Sequence, residues 1–228
     1  MDVRETNDSI YRVKKSKKAI QVNGDWNKDS WKSVKPILLT HYMGKIPEFQ
    51  PTVHAKMSYD KDYLYLIFRV EDRNFSSNVQ EYNGPVSNDA CVEFFFSPNG
   101  NRPNEYFNIE VNAGGTPLAG YHSFKKDSGA LFSEEDFKTI QIAHSMPKVI
   151  AEEIKEPTTW TVEYKVPFST LEKYTTIKRP VPGDIWKANF YKIAGEGSNP
   201  HYLTWSFVDY PRPNFHLPQF FGKIEFTH

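Results

Sequence analysis

Glu93, Asn108, Glu110 and Asn112 sit at alternate positions of two short segments, Asp89-Ala-Cys-Val-Glu-Phe-Phe-Phe96 and Glu105-Tyr-Phe-Asn-Ile-Glu-Val-Asn112. Carboxylates and side-chain amides repeated at period two share one face of a strand. There they offer the acceptors and donors that meet sugar hydroxyls, and Tyr106 adds a ring for the apolar face of a pyranose. The intervening residues Val92, Phe94, Phe96, Phe107, Ile109 and Val111 are apolar and form the opposite, core-directed face. A polar strand face also serves solubility alone, and on these residues both readings stand. Acid–base catalysis on a glycosidic bond is a third use, with Glu93 paired with Glu110 or Glu163. It requires two carboxyls about 5 to 10 Å apart across a cleft, one with a raised pKa.

Other chemistries find less support. No G-x-S-x-G elbow occurs, and Cys91 has no His near it in sequence. A single cysteine allows neither an intramolecular disulfide nor a cysteine zinc cluster. The seven His form no H-x-x-x-H or H-E-x-x-H pattern. No cofactor is required by any motif. Asp60, Asp62 and Asp72 flank loops at the ends of a hairpin and are candidate ligands for a structural calcium, with turn capping by Asp as the other reading. The run His201-Tyr-Leu-Thr-Trp-Ser206, then Tyr210-Pro-Arg-Pro-Asn-Phe-His-Leu-Pro218, is too aromatic for a plain linker. Within it Trp205 reads as core, and Phe215 and His216, set among Asn214 and prolines, read as a surface able to stack on sugar.

The elements that must position these residues are strands. The 228 residues include 13 Tyr, 17 Phe, 5 Trp and 16 Pro, which suits many strands joined by rigid turns in one β domain. Twenty-eight basic and 28 acidic residues balance, so charge argues for neither a nucleic-acid partner nor an anionic membrane surface. Residues 1–18 read as a flexible leader ending in Lys14-Lys-Ser-Lys-Lys18, followed by a single domain over 19–228. No apolar h-region and no run of about 20 apolar residues occurs, so no membrane span is expected. The chain reads as soluble, with the cytoplasm and export after signal removal both open.

The clearest strand pair spans Thr52 to Asp72 around a break at Tyr59-Asp-Lys-Asp62, with Leu64, Leu66, Phe68 and Val70 alternating against Tyr63, Tyr65 and Arg69. Residues 73–88 read as a long loop. Further strands are expected at Thr116–Phe124, Val149–Ile154, Thr159–Val166, Asp184–Ile193 and Lys223–Phe226. A short helix is expected near Glu134-Glu-Asp136, and a helical turn after Pro167. Trp26 and Trp31, after the turn Asn23-Gly-Asp25, are expected to anchor an end of the core.

In this order and spacing the chain resembles the family 9 carbohydrate-binding modules. The resemblance is carried by Asn23-Gly-Asp25 with Trp31, Tyr63-Leu-Tyr65 with Val70 and Asp72, and Asp89-Ala-Cys-Val-Glu-Phe94. It continues through Asn108 to Asn112, Trp160-Thr-Val-Glu163 with Pro167, Trp205-Ser206 and Phe215-His-Leu-Pro-Gln-Phe-Phe-Gly222. It implies a two-sheet antiparallel β-sandwich, often with calcium, that binds oligosaccharide or polysaccharide ends in glycan breakdown without catalysis, by sandwiching a sugar between two aromatic rings. Phe215 takes the place of the second stacking ring, Glu93 that of a carboxylate on the site floor, and Asn108, Glu110 or Asn112 those of its polar neighbours. The first stacking Trp is missing; its place falls near Pro85 or Val86, so Tyr82 must complete the sandwich or the grip is one-sided. Rival readings are a glycoside hydrolase, a protein-interaction scaffold, and a haem-binding sandwich, for which Met43, Met57 and Met146 show no partner pattern.

Overall fold

The alternation of apolar and polar residues becomes strand wherever it was expected and in several places where it was too short to read. The computed structural model describes residues 9–98, 100, 102, 104–123 and 129–228. Its strands are β1 (Ile10–Lys15), β2 (Ile37–Leu38), β3 (His41–Tyr42), β4 (Thr52–Tyr59), β5 (Tyr63–Asp72), β6 (Phe75–Ser77), β7 (Ala90–Ser97) and β8 (Tyr106–Asn112). They continue as β9 (Pro117–His122), β10 (Ala130–Leu131), β11 (Gln141–His144), β12 (Ile150–Ile154), β13 (Thr158–Pro167), β14 (Ile185–Ala194), β15 (His201–Thr204) and β16 (Gly222–Thr227). Among the described residues three α-helical turns interrupt them, α1 (Asp29–Lys32), α2 (Glu134–Phe137) and α3 (Phe168–Leu171), with 3-10 turns at Val86–Asn88 and Pro218–Phe220. Ser133 and Asp136 close a reciprocal capping box on α2, and Pro167 precedes α3 where a missing N–H costs nothing.

Hydrogen bonding follows the path β10-β9-β8-β7-β14-β16-β1-β4-β5-β13-β11, with β15 added to β14, β3 to β15 and β2 to β4, and β6 and β12 paired separately. The path curls on itself, so that its two arms become the layers of a β-sandwich. Phe68 of β5 meets Phe190 of β14 at 6.2 Å between ring centres, and Tyr11 of β1 reaches the same ring at 6.1 Å. Inward residues of β7 and β8 stack in the core: Phe94 on Phe96 at 4.8 Å, and Phe96 on both Phe107 and Trp186. Each such ring, fully buried, contributes about 1.5–3 kcal/mol. β4, β5 and β13 supply the facing layer with Met57, Leu64, Leu66, Phe68, Val70, Trp160, Val162 and Tyr164.

Two expectations are corrected here. Residues 10–15 of the expected leader are an inner strand: β1 runs parallel to β16 from Ile10↔Lys223 to Lys14↔Thr227, and parallel to β4 at Lys14 and Lys15. Only Tyr11 and Val13 of this strand are buried, too short an alternation for a sequence to reveal. The leader residues 1–8 lie outside the described residues. Glu163 is the second case. It faces away from the core, as expected, but segment 20–34 covers it completely. Its Oε2 accepts from the backbone N–H of Asn23 and Gly24, and its Oε1 from Trp31 Nε1 and the Lys28 ammonium. Gly24 adopts φ +78°, which lets this turn aim consecutive N–H groups at one carboxylate. Trp31 therefore anchors a satellite cluster with Ile20, Val34, Tyr65 and Ile67 on the outside of the sheet, not the main core.

Candidate functional site

The second face of β7 and β8 carries the candidate site. In the antiparallel register Glu93 stands opposite Glu110 on one side and Tyr191 of β14 on the other. Opposed residues on one sheet face lie about 4.5–5.5 Å apart, so the two carboxylates are close neighbours. This face is not solvated. Segment 205–221 folds across it and builds a second apolar cluster from Cys91, Phe95, Tyr106, Tyr191, Val208, Phe215 and Phe221, with Met43 and Val86. Glu93 is left 2% exposed and Glu110 6% exposed.

Between the sheet and this cover lies a cavity of about 220 Å³. Glu93 and Glu110 form its floor, with Ser87, Ile193, Tyr202 and the run Pro213–His216 around them. At about 30 Å³ per water the volume holds on the order of seven waters, below the roughly 300–1,000 Å³ of pockets for drug-sized molecules. It suits one small ring and not a long chain. The Glu93 side chain makes no hydrogen bond among the described residues, whereas Glu110 Oε1 accepts from Asn108 Nδ2 at 2.9 Å. Asn108 is itself oriented: His122 Nε2–H donates to its Oδ1 at 2.8 Å. Gly120, opposite Asn108, has no side chain; a Cβ there would stand 3.2 Å from Asn108 Oδ1. Tyr106 stacks on His122 at 4.6 Å and shares a 2.9 Å hydrogen bond with His216 Nδ1.

Burial, then the charge of Glu110, raises the pKa of Glu93 well above the carboxylate range. Burial pushes Glu110 up to about 7, with the Asn108 hydrogen bond opposing it. Burial also lowers His122 to about 4, so its imidazole is neutral and can donate from Nε2 only as that tautomer. The floor is thus a pair of carboxyls that hold a proton between them at moderate pH and present unsatisfied oxygens to whatever enters.

Of the residues singled out in the sequence, the structure brings Glu93, Glu110, Phe215 and His216 to this cavity and places Asn108 directly behind Glu110. Three depart from their expected roles. Phe215, expected on the surface, is 6% exposed and lies flat on Tyr191 at 4.1 Å, with its carbonyl accepting from the Tyr191 hydroxyl. It offers the cavity one side only. Tyr82 is half exposed, but its ring rests on Phe137 at 4.8 Å and it is not on the cavity wall. Asn112 serves the fold: its Nδ2 donates to Val79 O and Asp89 Oδ2, and its Oδ1 accepts from Thr116 N. Tyr202 was not singled out, because the chain brings it in through β15, a strand hidden in the aromatic loop. Tyr82→Ala is therefore expected to leave sugar affinity within about twofold, the size of a surface change, as checked by titration.

The calcium candidates do not converge. Asp60 accepts from the N–H groups of Asp62 and Tyr63 and from the Tyr65 hydroxyl, which is turn capping. Asp62 pairs with Lys61 and Arg179 at the surface. Asp72 lies at the far end of β5, about 30 Å away at 3.3 Å per residue, against Lys192. No cluster of three or more His, Cys, Asp or Glu able to hold a metal occurs among the described residues. Among these residues, too, no helix is long and apolar enough to cross a membrane.

A β-sandwich whose outer sheet face holds a small cavity floored by carboxylates and walled by aromatic rings is a binding module by construction. The chain belongs to carbohydrate-binding family 9, whose model matches residues 23–226. Among solved structures it is similar to a putative carbohydrate-binding protein from Bacteroides uniformis ATCC 8492 (26% identity, TM-score 0.84, 95% of this chain and 98% of that one). It is also similar to a family 9 module from Caldicellulosiruptor kristjanssonii, solved with cellotriose (16%, 0.65, 96% and 94%) and with glucose (17%, 0.63, 95% and 95%). Those two likenesses are of fold. No match occurs among curated proteins.

Proposed function

We propose that this non-catalytic sugar-binding chain takes a single terminal unit of an oligosaccharide or polysaccharide into the cavity over Glu93 and Glu110. The observation that carries the reading is the Glu93 carboxylate, buried, open to the cavity and without a hydrogen-bond partner among the described residues. An acceptor left unsatisfied at such depth costs about 1–3 kcal/mol, more for a charged group, which a hydroxylic ligand repays by donating to it. Asn214 and His216 contribute further polar atoms at the rim, and Phe215 an apolar wall. The small volume favours the end of a chain over its middle.

Hydrolysis is disfavoured by the same geometry. The two carboxyls project side by side from one sheet face, whereas glycosidases set theirs on either side of the scissile bond. The test is calorimetric titration with reducing mono- and oligosaccharides and their alditols. Micromolar to millimolar binding of the reducing sugars, lost on reduction to the alditol, is expected. No binding of any neutral glycan, or sugar release that stops in Glu93→Gln, would overturn the proposal.

A further inference from the structure

A second, larger cavity of about 990 Å³ lies where β1 ends, walled by Lys14, Lys15, Lys17 and Lys18 on one side and by α1 with Ser33, Val34 and Ser58 on the other. This is the basic run that reads as a solvated tail in the sequence. In the fold it is held: Lys14 and Lys15 pair in register with Ser58 and Tyr59, Ser58 Oγ donates to Lys14 O, and Ser16 N donates to Tyr59 O. All four lysines are exposed, and none forms an ion pair among the described residues. The acidic side chain on the wall, Asp29, is already matched by Lys32 at 2.7 Å. Four like charges thus line one groove of a protein whose net charge is zero.

We propose that this groove is a second binding site, for an anionic oligosaccharide carrying carboxylate or sulfate groups. Ammonium groups on flexible stems suit point-charge recognition of such anions at spaced intervals. No Phe, Tyr or Trp lines the groove, so it has neither the ring on which a neutral sugar stacks nor the platform that holds single-stranded nucleic acid bases. The hydroxyls of the lining serines supply the short polar contacts a glycan needs beside its charges. The site shares no lining residue with the cavity over Glu93.

The test is titration of an oligogalacturonate, a sulfated oligosaccharide and a single-stranded oligonucleotide at about 0.02 M and about 0.2 M sodium chloride, concentrations between which screening of exposed charges changes strongly. Binding of at least one anionic glycan that weakens with salt is expected. Replacing all four lysines by Gln should cost at least about fourfold in affinity, the sum of four exposed charge pairs, and replacing them by Arg should retain binding. The relative strength of the two glycan arms then separates carboxylate from sulfate. An unchanged affinity in the Gln variant, no anionic glycan bound at low salt, or tighter binding of the oligonucleotide than of both glycans would overturn the assignment. Glu93→Gln should leave this binding intact, which separates a failure here from a failure of the sugar cavity.

Discussion

Replacing Glu93 by Gln is expected to abolish most of the sugar affinity and, in the same variant, to stabilise the fold at neutral pH. The two effects share one cause. A buried carboxylate with no protein donor, placed beside a second carboxylate, weakens the empty fold and grips a hydroxylic ligand. Exchanging the carboxyl, whose oxygens accept from the ligand, for an amide that turns N–H donors toward the same hydroxyls costs about 1–3 kcal/mol, or roughly five- to a hundredfold in Kd. The stabilisation follows from linkage. Both carboxyls have folded-state pKa values above the ordinary 4.5, Glu110 at about 7. Between those values the folded protein binds more protons than the unfolded chain, so their contribution is fully present below pH 4.5 and is lost as pH rises through the folded values. For Glu110 alone the shift corresponds to about 3 kcal/mol. The thermal midpoint of the native chain should therefore fall between about pH 5 and pH 8, by about 2–4 °C per kcal/mol, and this slope should be shallower in Glu93→Gln. A variant that loses sugar affinity but melts lower than the native chain at pH 8 would show that Glu93 holds the fold together, not a ligand.

A loss of about 3–5 kcal/mol, the largest stability effect among these variants, is expected for Lys192→Met. Lys192 lies on the inward face of β14 with its side chain completely buried, its Nζ 3.1 Å from Asp72 Oδ2, which is buried too. The approach lies off the hydrogen-bond axis, so the contact is one of charge, and Lys192 instead donates to Ile193 O and His201 Nε2. His201 Nδ1–H donates to Asn199 O, and burial, then the charge of Lys192, lowers the pKa of the ring to about 3. The neutral imidazole therefore accepts a hydrogen bond from the Lys192 ammonium at Nε2. Removing the ammonium leaves Asp72 buried with the N–H of Arg73 donating to its Oδ1 and no counter-charge among the described residues. Adding Asp72→Leu to Lys192→Met should recover most of the loss, because a well-packed apolar pair replaces a buried ion pair at little net cost. Urea unfolding of the single and double variants measures the coupling; a double variant as unstable as the single one would mean that packing around β14, not the ion pair, sets the cost.

What the sequence by itself determined is what period-two alternation encodes. Val92, Phe94 and Phe96 against Glu93, and Leu64, Leu66, Phe68 and Val70 in the hairpin around Asp60, point to the same faces in the fold as in the chain, because successive strand residues have no other choice. The resemblance to family 9 rested on the same stretches, and Glu93 and Glu110 emerged as floor residues because both lie on long, regular strands. β1, β3 and β15 were not legible, since two to six residues with at most three buried positions carry no period. Only the tertiary structure decided what each face meets. Segment 205–221 closing over β7 and β8 turned a polar strand face into a buried carboxylate floor and drew Phe215 inward onto Tyr191. Segment 20–34 took Glu163 out of the list of possible acids by supplying all its donors. Lys192, arriving from a strand more than a hundred residues away, gave Asp72 a cation and removed it from the calcium candidates. In each case the physical reason is the same: the energy of a polar group depends on whether water or a partner surrounds it, and both are supplied by chain that is distant in sequence.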